Sequence, residues 1–154
     1  MARPNFDNES QVVEYMKAVA VGQSGFSSLL GLEPVRCWDG EAEIVMTVKP
    51  EMTQHHGFAH GAIVGMMADN ACAWAASSAV GDVVTGSYTI NLLAPARGAR
   101  LRSIGKVVKA GRRQVVVRSE VFSEDADGGD KTLVAIAQAT IVPTGIETAP
   151  VGKA

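Results

Sequence analysis

The sequence predicts an α+β fold in which an antiparallel sheet is built with one long apolar helix. Two observations carry this. The hydrophobic patterns run helix, two strands, one long helix, then four strands, and runs of adjacent strands favour an antiparallel sheet over a doubly wound parallel one. Residues 61–80, GAIVGMMADNACAWAASSAV, are apolar or small nearly throughout, as expected of a helix covered by protein on every side. The length, 154 residues, suits a single domain with a sizeable core.

Each element has its own signal. Ser10 is placed to cap a helix from Gln11 to about Val21, with Val12, Val13, Met16, Ala20 and Val21 at helical spacing. Gln23 to Gly31 reads as a Gly/Ser-rich connection with a helical turn at Phe26 to Leu30. Leu32 to Trp38 reads as a strand, and Pro34, which cannot donate to a ladder, places it at a sheet edge. Asp39-Gly40 is a hairpin turn, after which Ala42, Ile44, Met46 and Val48 share one face of a second strand. Beyond the long helix, Val83 to Leu93 alternates Val84, Gly86, Tyr88, Ile90 and Leu92 against Thr85, Ser87, Thr89 and Asn91. Strands follow at Arg100 to Lys109, Arg113 to Phe122 and Thr132 to Val142, separated by the Ala110-Gly111 turn and the loop EDADGGD. The domain is expected over residues 10–143, with flexible ends at 1–9 and 144–154.

Composition excludes several function classes. Apolar residues make up 47% of the chain and charged residues 19%, with a net charge of −2, so there is neither a disordered composition nor a basic footprint for nucleic acid. Cys37 and Cys72 are the only cysteines, too few for a disulfide framework or a cysteine-based zinc site. The N-terminal MARPNFDNES has no basic-then-apolar leader, and a cytoplasmic location is expected. Walker A, dinucleotide-glycine and nucleophile-elbow motifs are all absent. The 61–80 run is long enough to span a bilayer, but Asp69 and Asn70 at its centre make a buried core helix the better reading.

A carboxylate in such a helix must be paired, hydrogen-bonded or put to use, which makes Asp69 the most informative residue. His55, His56 and His60 fall within QHHGFAHG, just before the helix. His56 and His60 are four apart, but no Glu follows His56 and Gly57 breaks the segment, so the metalloprotease signature is missing. His60 and Asp69 are nine residues apart, roughly 13 Å along a helix. That spacing does not suit joint action on one helix, whereas two antiparallel copies in a twofold dimer could bring His60 of one chain near Asp69 of the other. The helix start also offers unpaired N–H groups at Gly61 and Ala62 for a developing oxyanion.

The segment QHHGFAHGAIVGMMADNACAWAA resembles the signature of hotdog-fold acyl-CoA thioesterases of the PaaI-like (phenylacetate-degradation) family. TGSYTINLLAPARG, KAGRRQVVVRSEVF and LVAIAQATIVP resemble its later strands, and the likeness covers roughly residues 30–143. The resemblance implies a sheet wrapped around the long helix, a homodimer with a continuous sheet, often paired into a homotetramer, and metal-free, cofactor-free hydrolysis of acyl-CoA. By position, Asp69 would be the base or nucleophile and Gly61 the oxyanion donor. His60 would lie beside that donor, Gln54 would hold the carbonyl or water, and Thr85 would support the carboxylate, with Ser87 on the same face. Arg97, Lys109, Arg112 and Arg113 at strand ends would meet the phosphates of coenzyme A. The usual His-Gly-Gly is His60-Gly61-Ala62 here, which keeps the backbone donor. Two other classes fit the same fold: an acyl-CoA hydratase or dehydratase, and a non-catalytic acyl-CoA binder.

Overall fold

The computed structural model describes residues 6–18, 22 and 25–145. Its elements are α1 (Glu9–Met16), α2 (Gly25–Leu30), β1 (Glu33–Trp38), β2 (Glu41–Thr47), a 3-10 turn (Pro50–Met52), α3 (Gly61–Val80), β3 (Val83–Leu92), β4 (Arg100–Ala110), β5 (Val115–Glu124) and β6 (Lys131–Pro143). The strands form one sheet in the order β1-β2-β4-β5-β6-β3, and every neighbouring pair is antiparallel. Helix α3 packs across it, so the fold is the expected hotdog arrangement. Pro34 sits on edge strand β1 as its missing donor requires, and β3 forms the other edge.

Local chemistry explains most boundaries. Asp39 and Gly40 both have positive φ, 48° and 84°, the mirror-image turn whose twist matches a two-stranded hairpin. At the N-terminus the cap is Asn8, not Ser10: its extended backbone lets the side chain accept the Gln11 N–H, and α1 ends at Met16. Residues 19–21 of the expected helix lie outside the described residues, as do 1–5 and 146–154 of the expected flexible ends. Strand β5 starts at Val115 because the Gly111 N–H bonds the Gln114 carbonyl, which leaves Arg112 and Arg113 in the turn.

The core lies between α3 and the concave face of the sheet. Val64, Met67, Ala68, Ala71, Cys72, Ala75 and Ala76 of α3 are buried against Ile44, Met46, Leu101, Val115, Val117, Val121, Ala139 and Ile141. Alanines on the helix let the backbones come close, and Gly105 on β4 is the point of nearest approach. A Cβ there would stand 2.2 Å from the Ala71 carbonyl oxygen, so the helix or the strand would have to move. Gly105→Ala is therefore expected to cost about 1–3 kcal/mol and lower the melting temperature by roughly 3–10 °C. An unchanged thermal melt would refute this packing. Two deeper polar groups find backbone acceptors: Ser119 Oγ donates to the Ala68 carbonyl and Cys37 Sγ to the Trp74 carbonyl, while the buried Ser103 hydroxyl on β4 has no hydrogen-bond partner among the described residues.

On the outer face Arg102 is clamped between Glu43 and Glu124. Glu124 is fully buried. That burial raises its pKa, but hydrogen bonds and charge from Arg102 and Lys131 outweigh it and hold the carboxyl below its ordinary value. The Gly98 backbone lies directly on that of Glu124, where a Cβ would come within 2.2 Å of the carbonyl oxygen. This contact anchors the loop after β3 that borders the site described next.

Candidate active site

The chain enters α3 through a tight loop. The Gly57 N–H bonds the Gln54 carbonyl, the Gln54 N–H bonds the Phe58 carbonyl, and the His60 N–H bonds the Met52 carbonyl. Gly57 takes φ +80° at the turn, which a side chain would disfavour. His60 is then the N-cap, and its Nδ1 accepts the Ala62 N–H at 3.0 Å. In neutral His60 that bond leaves the proton on Nε2. Of the two free donors expected at the helix start, Ala62 is therefore occupied by the cap. The Gly61 N–H makes no hydrogen bond among the described residues. Gly61 and Gln54 line one cleft of about 270 Å³ with Phe58, Val64, Leu92 and Leu93.

Asp69 lies two helical turns further along α3 and is half-buried. Thr85 Oγ1 donates to its Oδ1 at 2.7 Å, the pairing expected of that threonine. Its Oδ2 makes no hydrogen bond among the described residues. Gly61 and Asp69 both face β3: Leu92 packs where a Gly61 Cβ would point, and Thr85 reaches Asp69. Eight residues separate them, about 12 Å of helix.

Strand β3 corrects one expectation. Thr85 pairs with Ile141 but Ser87 pairs with Thr140, so Gly86 is an extra, bulged residue. The bulge reverses the alternation. Thr85 lies on the helix side, as do Tyr88, Ile90 and Leu92, which oppose Ala139, Ala137 and Ala135. Ser87 and Thr89 face outward instead, so Ser87 does not share a face with Thr85. A glycine inside a strand pattern is the one sequence signal that marks such a bulge, and reading past it put Thr85 and Tyr88 on opposite faces.

The cationic residues divide between two ends of the molecule. The Arg97 guanidinium lies 5.1 Å above the Phe58 ring, bordering a second cleft that Lys49 also lines. Exposed Lys109, Arg112 and Arg113 sit at the β4–β5 turn. That turn is level with Thr85 through the Val115–Ile141–Thr85 row, so they belong to the Asp69 end. The histidines do not converge. His60 caps α3, while the rings of His55 and His56 lie 3.9 Å apart beside Phe58. Among the described residues no group of three His, Cys, Asp or Glu side chains is placed to hold a metal, and no helix is long and apolar enough to cross a membrane.

The neighbouring nucleophiles are structural. Cys72 is buried, and its thiol is pushed up to about 11 by that burial, opposed by a hydrogen bond with Ser119 and aided by the charge of Asp69. Burial likewise lifts Cys37 to about 12. Ser78 Oγ donates to the Ala75 carbonyl and accepts the Gly40 N–H, which fixes the hairpin to the helix.

The sequence profile of the thioesterase superfamily matches residues 56–129. A thioesterase family protein from Silicibacter pomeroyi is 29% identical, with 86% of this chain and 96% of that one covered at a TM-score of 0.77. A variant of the phenylacetic acid degradation protein PaaI from Thermus thermophilus is 31% identical over 78% of this chain and 99% of that one, with a TM-score of 0.68. The PaaI protein of E. coli, at 22% identity and a TM-score of 0.76 over 90% of this chain and 97% of that one, shares the fold. No curated protein matches the sequence. The chain belongs to the thioesterase superfamily, among its PaaI-like hotdog-fold members.

Proposed function

We propose that the protein is a homo-oligomeric cytoplasmic thioesterase that hydrolyses aryl- or fatty acyl-coenzyme A, with each active site shared between two subunits. The observation that carries this is the pair formed by an unbonded Gly61 N–H and a Thr85-supported Asp69 on one flank of α3. They are too far apart to act on one carbonyl within a chain. A twofold axis beside the middle of α3 sets Gly61 of one copy against Asp69 of the other. The exposed edge of β3 supports the same pairing, because its unpaired backbone groups and apolar Val84 and Leu92 invite a second β3 strand.

In this reading Asp69 takes a proton from water as the water oxygen attacks the thioester carbon. The carbonyl oxygen becomes an oxyanion held by the Gly61 N–H at the positive end of α3. Collapse breaks the carbon–sulfur bond, and the coenzyme A thiolate leaves and takes up the proton. Gln54, in the same cleft as Gly61, orients the carbonyl or the water. His60 secures the helix start, and so leaves the Gly61 donor in place. No step asks for a metal, since donor and base are both supplied by the chain. The same twofold brings Arg97 of one copy towards Lys109, Arg112 and Arg113 of the other, which suits the phosphates of coenzyme A. Ser87, on the outer face, has no part in this scheme.

The test is free-thiol release from a panel of acyl-CoAs. Saturable thiol release is expected. Saturable binding of acyl-CoA with no thiol released, or turnover of enoyl-CoA without thiol release, would refute the reading.

A further inference from the structure

Tyr88 meets α3 between Gly61 and Asp69 of its own chain, one turn from the Gly61 donor. The Gly86 bulge turns it to the helix side, opposite Ala139, whose small side chain leaves the ring room. Its hydroxyl reaches α3 at Gly65, where a Cβ would lie only 3.2 Å from the Tyr88 oxygen. Gly65 is midway between Gly61 and Asp69, one helical turn or about 6 Å from each. The tyrosine is 43% exposed, and its hydroxyl makes no hydrogen bond among the described residues. The hydroxyl is therefore open to a molecule that enters the groove beside Gly65.

The thioesterase reading, on which this inference rests, says what enters that space. The thioester oxygen lies about 3 Å from the Gly61 N–H, and the Tyr88 hydroxyl is roughly one turn further along the groove. Allowing about 2.8 Å for a hydrogen bond, an oxygen some 3 Å beyond the thioester carbon would meet it. In an acyl chain, that is an oxygen on the third or fourth carbon. The phenol both donates and accepts, so a hydroxyl or a keto group satisfies it. An unsubstituted hydrocarbon leaves it unpaired and desolvated. We propose that Tyr88 is a specificity-determining residue that selects acyl groups bearing a hydrogen-bonding oxygen near the third carbon over plain hydrocarbon chains.

The probes are butyryl-CoA and the two enantiomers of 3-hydroxybutyryl-CoA, with wild type and Tyr88→Phe. Wild type is expected to favour one 3-hydroxy enantiomer by about tenfold in kcat/KM, as one hydrogen bond allows, and Tyr88→Phe to reduce that ratio to near one. A wild type that does not discriminate, or a Tyr88→Phe variant that still does, overturns the proposal. The ratio of Kd for the same ligands, by calorimetry, is read alongside. If wild type releases no thiol from any thioester, the hydrolase reading fails, and the Kd ratio alone then decides for or against Tyr88.

Discussion

Asp69→Asn is expected to lower kcat by about 10²–10⁴-fold, the range for loss of a positioned proton acceptor, with folding and assembly unchanged. The substitution is nearly isosteric, and the site is half-buried rather than sealed, so no cavity opens and no charge is stranded. The Thr85 hydroxyl, 2.7 Å from the carboxylate, keeps a partner because an amide oxygen also accepts. What the amide lacks is the capacity to take the proton from water. The loss should therefore fall on kcat, with KM nearly constant, because Asp69 does not hold the acyl chain or the coenzyme. Thr85→Val should be milder, since it removes the support and leaves the base. Steady-state thiol release with a melting curve on each variant is the check. Wild-type kcat in Asp69→Asn would refute the mechanism outright.

Asp69 was legible in the sequence because burial makes a carboxylate conspicuous. An apolar 20-residue run admits an acid at its centre only for a reason, and α3 begins and ends where that run does. Strands β2, β4, β5 and β6 were legible to within a few residues for a related cause: one face of each is buried, so period-two alternation is enforced. Legibility failed where geometry depends on one backbone atom. Whether Gly86 continues the alternation or bulges is decided by its pairing with β6, a contact more than fifty residues away in sequence, and that decision put Tyr88 on the face of Thr85 and Ser87 on the other. The histidine signal failed differently. His60 caps α3, and its ring nitrogen takes up the Ala62 N–H, a competition for the helix-start donors that spacing does not reveal. The strand order, with β3 beyond β6 and next to no other strand, is equally non-local, and it is what leaves an edge open at the site.

Gly61→Pro offers the sharpest test of the shared site, because it removes the backbone donor at a position built to accept proline. Gly61 is the first residue of α3, where a missing N–H breaks no helical bond and proline is favoured. His60 before it has φ −62° and ψ 140°, the extended conformation that a residue preceding proline requires. A new Cβ meets only the end of the flexible Leu92 side chain, at 3.2 Å. The variant should fold and assemble yet lose about 10²–10³-fold in kcat, the usual result of losing one oxyanion donor. Mixing it with Asp69→Asn then separates the two architectures. If each site takes Gly61 from one chain and Asp69 from the other, a mixed dimer holds one site with both defects and one with neither. Random reassociation of two inactive variants should then restore about a quarter of wild-type activity, since half the dimers are mixed and each carries one intact site of two. If both groups serve within one chain, every site keeps one defect and mixing restores nothing. Mixed dimers recovered by differential tags and found inactive would refute the shared site. Recovery near a quarter requires that the donor and the base come from different chains.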